Sequence, residues 1–185
     1  MRVVPIASGK GGVGKSMVAA NLAIALAENG RRVVLADLDL GASNLHVILG
    51  QTGARRGIGT WLSVAGVEFS EILLDTDVAN LRFIPGDAEI PGLANISSLQ
   101  KNRLVKHLLT LEADYLVLDL GAGTSSNILD FFLMGPSGII VTAPALTATL
   151  NAYLFLKNAM FRLMWTTFKR GSKAWGALES LRRDG

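Results

Sequence analysis

The chain has 185 residues, half of them apolar and 18% charged, with a formal net charge of +3. That is enough chain for one packed core and too apolar a composition for a disordered one. The absence of cysteine excludes a disulfide framework, a thiolate-held iron–sulfur cluster and a cysteine zinc site, and it suits a cytoplasmic protein.

Met1 to Ile6 is too short an apolar stretch for a signal peptide and runs directly into a glycine loop. Val3 to Ala7 reads as a first strand. Ser16 to Glu28 is rich in helix formers and stops at Asn29-Gly30. Arg32 to Ala36 is a second strand, followed by an acidic turn from Asp37 to Asn44. Gly50 to Gly59 reads as a loop, and Thr60 to Leu74 as one or two short helices. Leu81 to Ile84 forms a third strand, stopped by Pro85-Gly86. Ser97 to Thr110 places Leu99, Leu104, Leu108 and Leu109 at helical spacing, and Tyr115 to Leu118 is a fourth strand ending at Asp119. Ser125 to Met134 is a short helix, Gly138 to Thr142 a fifth strand, and Ala148 to about Trp165 a last helix.

Phe131 to Leu156 carries no charge over 26 positions, the length of a membrane span. However, Gly135-Pro136-Ser137-Gly138 and Pro144 interrupt it, so a buried strand, a turn and a core helix fit it better. From Lys157 on, the chain carries Lys157, Arg162, Lys169, Arg170, Lys173, Arg182 and Arg183 against Glu179 and Asp184. Such a tail is either a solvated face or a surface for nucleic acid or anionic lipid. Strands that are apolar throughout are buried on both faces, and their alternation with helices predicts a mostly parallel β-sheet with helices on both faces. Residues 1–185 are expected to form a single domain of this α/β class.

Three segments carry chemistry. Gly9-Lys10-Gly11-Gly12-Val13-Gly14-Lys15-Ser16 lies between a strand and a helix, the context of a phosphate-binding loop. Its glycines let backbone N–H groups wrap a phosphate at a helix N-terminus. Lys15 supplies a point charge to the β- and γ-phosphates, and Ser16 a hydroxyl for Mg²⁺. Asp37 and Asp39 follow the second strand, at the carboxyl end where parallel sheets bind ligands. They read as carboxylates for Mg²⁺ and for an attacking water, or as the cap of the next element. Asp119-Leu120-Gly121-Ala122-Gly123 follows the fourth strand, where a carboxylate can hold Mg²⁺ through water. His46 and His107 have no second ligand at metal spacing. His46 reads as structural or surface, and His107 as exposed.

Together these segments resemble the MinD/ParA family of deviant-Walker P-loop ATPases, a SIMIBI-type fold, and within it the MinD and FlhG branch. The distinguishing residue is Lys10, which an ordinary phosphate loop does not need. The resemblance implies that Lys10 crosses a nucleotide-bridged homodimer to the partner's phosphates. It also implies that Asp39 positions the attacking water, that Ser16 and Asp119 serve Mg²⁺, and that Asp37 supports the metal from behind. The nucleotide-binding set is then Gly9, Lys10, Gly11, Gly12, Val13, Gly14, Lys15, Ser16 and Met17, with Met17 where the family often has Thr. Lys10, Lys15 and Asp39 form the catalytic set.

The resemblance further implies ATP and Mg²⁺ as ligands, an activator protein, and a membrane or DNA surface as partner. The implied location is the cytoplasm or the inner face of the membrane. The family usually runs beyond this length, so strands that read the adenine are expected to be missing, and ATP over GTP rests on the resemblance. A nitrogenase-type reductase on the same fold is excluded by the lack of cysteine. A nucleotide-binding interaction module without hydrolysis remains the alternative.

Overall fold

The computed structural model describes residues 1–40, 45–51, 56–86 and 96–184, the last four by their backbone alone. The elements run β1 (Arg2–Ser8), α1 (Lys15–Glu28), β2 (Val33–Leu38), α2 (Leu45–Ile48), α3 (Ile58–Ser63) and a 3₁₀ turn (Phe69–Ile72). They continue as β3 (Leu74–Asp75), β4 (Leu81–Ile84), α4 (Ser98–Leu109), β5 (Tyr115–Ala122), α5 (Ser126–Phe132), β6 (Ile139–Ile140), α6 (Leu146–Thr167) and α7 (Lys173–Asp184). The sheet order is β3-β4-β2-β5-β1-β6, and β3 alone is antiparallel to its neighbour. Among the described residues no helix is long and apolar enough to cross a membrane.

Side chains alternate across a strand, so the two faces can be read residue by residue. Val34, Ala36, Leu116, Leu118 and Leu120 point into one core with Leu104, Leu108 and Phe155, from α4 and α6. Val33, Leu35, Val117 and Ile6 point into the other, beneath α1. There α1 buries Ala19, Ala20, Ala23 and Ala27, and these small side chains let it lie close on the sheet. The expected helix layers on both faces are therefore present.

Several boundaries differ from expectation, and those around the site matter most. β2 and β5 continue through Asp37 and Asp119, so both carboxylates sit inside strands rather than after them. They are in register with one another, and each continues a ladder that costs no exposed backbone. A short strand at Leu74–Asp75 pairs with β4. Its two residues are too few for a periodic signal. α6 begins at Leu146, two residues after Pro144, and the basic stretch beyond it folds into α7, whose Trp175 meets Trp165 of α6 edge to face at 4.2 Å.

Candidate phosphate-binding site

At the carboxyl end of β1 the chain turns out of the sheet through Gly9 to Gly14 and enters α1 at Lys15. Gly12 and Gly14 take φ of +77° and +91°, backbone that a side chain would strain. Gly9 is required for a different reason. A Cβ there would lie 2.0 Å from the backbone oxygen of Asn151, so the loop rests directly on α6. Lys10 is exposed at the mouth, and its Nζ donates to Thr147 Oγ1 of α6 at 3.2 Å.

The alternation that builds the core also aims the carboxylates. Asp37 and Asp119 lie on the same side of the sheet as Val33, Leu35 and Val117, the side covered by α1. Both are 1% exposed. Lys15, at the first turn of α1, is 7% exposed, and its Nζ donates to Asp119 Oδ1 at 2.5 Å. Burial pushes the Asp119 carboxyl up from its ordinary value. Lys15 and the Ser16 hydroxyl hold it down, and the Asp39 charge adds to the rise. Asp37 accepts the backbone N–H groups of Asp39 (3.0 Å) and Leu45 (3.3 Å), and so ties the end of β2 to the start of α2.

Asp39 is half-buried and reaches over β5. A Cβ on Gly121 would lie 3.4 Å from Asp39 Oδ1 and 3.4 Å from Ile128 Cδ1. Gly121 sits in a bulge, since Ile6 faces Asp119 but Ser8 faces Ala122, and one extra residue of β5 is accommodated. The bulge turns the segment after Asp119 toward the loop, and Gly123 N–H donates to Ser8 O at 3.0 Å. Lys15, Ser16, Asp119, Asp39 and Gly121 are thus brought together, and Lys10 stands at the rim. The predicted segment 41–44 lies outside the described residues.

The residues present suit a triphosphate with Mg²⁺. The glycine backbone is open to solvent, with nothing within 4 Å of where Cβ atoms on Gly11, Gly12 or Gly14 would stand. No three His, Cys, Asp or Glu side chains among the described residues gather as a metal cage. A hydroxyl and a carboxylate completed by phosphate oxygens and water are the donors that Mg²⁺ prefers.

Several residues at this site carried no signal in the sequence. Thr147 and Asn151 reach the loop only through the packing of α6. An apolar pocket of about 290 Å³ lies beside Asp39, walled by Leu38, Leu40, Ile96, Ile128 and Phe131. A more polar cavity of about 580 Å³, with Arg32, Asp75, Arg82 and Glu112 in its wall, contains none of the predicted site residues. His107, expected to be exposed, is half-buried instead. It stacks on Phe69 and meets the edge of Trp61, both at 5.0 Å, because α4 turns it toward α3 and the 3₁₀ turn.

A strand, glycine loop and helix at the mouth of a parallel sheet define the P-loop class of domains. Residues 4–163 match the model of the CobQ/CobB/MinD/ParA nucleotide binding domain, and the chain belongs to that family. It is 32% identical over 164 residues to the antiactivator FleN of Pseudomonas aeruginosa, covering 85% of this chain and 56% of that protein. To a putative septum site-determining protein MinD of Guillardia theta it is 36% identical over 154 residues, covering 82% of this chain and 56% of that one. The chain therefore spans about half the length of these relatives. Among solved structures, MinD of Pyrococcus horikoshii complexed with Mg-ADP superposes with a TM-score of 0.73 at 28% identity, over 85% of this chain and 65% of that one.

Proposed function

We propose that this chain is the nucleotide-binding part of a Mg²⁺-dependent ATPase switch that closes into a homodimer around ATP. Its output would be the placing of a cellular structure, such as a division site, a flagellum, a plasmid or a chromosome. The observation that carries the reading is the convergence of Lys15, Ser16, Asp119 and Asp39 on an open glycine loop. The MinD and FleN relatives, by name a septum-site determinant and an antiactivator, support the cellular role.

In this reading the loop N–H groups and the α1 N-terminus receive the phosphates. The Lys15 ammonium leaves its carboxylate partner in part to hold the β- and γ-oxygens. Mg²⁺, held by Ser16 with Asp119 and Asp37 behind it, would neutralise phosphate charge. Asp39 accepts a hydrogen bond from the attacking water and aims its oxygen at the γ-phosphorus. The new O–P bond forms as the bridging O–P bond breaks, and the water's proton passes to the departing phosphate, leaving ADP and inorganic phosphate. Lys10, exposed and on a long side chain, crosses to the partner copy and stabilises charge there as an arginine finger does. Leu146 and Leu150, exposed on α6 on either side of Thr147, give the dimer apolar area beside Lys10. An activator protein and a membrane or DNA surface complete the cycle, with the basic, aromatic segment around Phe168-Lys169-Arg170 as the surface contact.

Phosphate release and light scattering with Mg-ATP test this for wild type, Lys10→Ala and Asp39→Ala. Asp39→Ala should still dimerise and lose about a hundredfold or more in rate. Lys10→Ala should lose both turnover and dimer. A wild type that binds Mg-ATP and never releases phosphate, with liposomes or DNA present, would leave only a nucleotide-binding interaction module.

A further inference from the structure

α5 begins just after the Gly121 bulge, and Ser125 caps its N-terminus by accepting the Ile128 N–H. Ile128, on its first turn, lies against the same point of Gly121 as the Asp39 carboxylate. Two residues on, Asp130 accepts two hydrogen bonds from Arg162 of α6, from Nε at 2.6 Å and Nη2 at 2.9 Å, and one from Lys101 of α4. The three side chains are partly buried, at 20% exposure for Asp130, 12% for Lys101 and 36% for Arg162. Burial alone would raise the Asp130 carboxyl, but the bonds from Arg162 and Lys101 outweigh it and hold the group below its ordinary value. Between the same two helices, Phe132 of α5 meets Phe155 of α6 edge to face at 5.0 Å.

α6 in turn reaches the nucleotide loop at its other end. Its first turn supplies Thr147 to Lys10, and its second presses the Asn151 carbonyl onto Gly9. The two helices therefore touch the site at separate points, α5 beside Asp39 and α6 beside Lys10, and are clamped to each other away from it. A half-buried ion triad is a poor source of stability, because apolar side chains of similar size can often replace it without loss. What a forked guanidinium on a carboxylate does provide is fixed relative orientation.

We propose that the Lys101–Asp130–Arg162 triad makes α5 and α6 move as one body, so that a change at Asp39 and Gly121 is carried to Lys10. Asp130 is then a positioning residue that couples the hydrolytic side of the site to the lysine that bridges the dimer. This inference rests on the ATPase reading above.

Hydrogen–deuterium exchange of the full chain, with and without Mg²⁺ and the non-hydrolysable analogue AMPPNP, tests it. The readout is the nucleotide-induced difference, because a merely structural loss would shift both rates together. In wild type both the loop, residues 9–16, and the first turns of α6 should slow. Asp130→Asn should keep the loop response and shrink the α6 response about threefold or more, and Asp130→Glu should restore it. A triple variant, Lys101→Met with Asp130→Leu and Arg162→Met, replaces all three charged side chains by apolar groups and should fold while giving the same uncoupling. A full α6 response in Asp130→Asn or in the triple variant, beside a protected loop, would overturn the coupling. A wild-type loop that does not respond at all would overturn the nucleotide reading and the coupling with it.

Discussion

Lys15 and Asp119 are each other's main compensation for burial, and the two can be separated by pH. Removing Lys15 leaves burial to raise the Asp119 carboxyl further. A carboxyl raised above its unfolded value contributes stability below that value, here 3.8, and loses it as pH rises through the folded one. Lys15→Met should therefore come nearest to wild-type stability under acid conditions and fall behind as pH rises toward 7, as urea unfolding at several pH values would show. Asp130 has the opposite sign. Its lowered carboxyl stabilises the fold above its ordinary value of 3.8, and that contribution is lost as pH falls through the folded value. The stability gap between wild type and Asp130→Asn should be widest near neutrality and should close on acidification.

At the scale of elements, the seam between the loop and α6 is the most sensitive. Gly9→Ala places a Cβ 2.0 Å from the Asn151 carbonyl oxygen, a backbone atom that cannot swing away. The helix must shift, at a cost of about 1–3 kcal/mol or more, read as a fall in the denaturation midpoint. Gly12→Ala meets nothing but must hold φ near +77°, so it should cost only about 1–2 kcal/mol. The aromatic cluster is the second sensitive point. Trp61 is 2% exposed between Phe69 and His107, with Arg103 4.3 Å from its ring centre. Trp61→Ala should destabilise by about 3–5 kcal/mol, measured by chemical denaturation.

These elements also explain what could be read from the chain in advance. The loop and α1 were legible because glycine, lysine and helix formers carry local signals, and so were the long apolar strands. The strand positions of Asp37 and Asp119 were not, since a carboxylate inside a strand looks like its end until its partners are placed, the Lys15 ammonium for Asp119 and the Asp39 and Leu45 N–H groups for Asp37. The packing of His107 was hidden for a related reason, because its partners Trp61 and Phe69 come from segments with weak periodicity.

For the molecule as a whole, the sheet order puts β1 between β5 and β6 and β2 beside β5. The loop after β1, the Asp39 segment after β2 and the bulge at the end of β5 therefore open at one mouth. That convergence followed from alternating strands and helices. By contrast, the clamp of α4, α5 and α6 on Asp130 joins residues up to 61 positions apart, from Lys101 to Arg162, and no local pattern marks it. Calorimetric titration with Mg-ATP, of wild type beside Lys15→Ala, tests the nucleotide site most directly. Wild type should give a saturable isotherm and a thermal transition raised with ligand concentration, by about 2.7 kcal/mol of added stability at a hundredfold excess over Kd. Lys15→Ala should lose both. Equal binding by the two proteins, or none by wild type, would contradict a site built on Gly9 to Ser16.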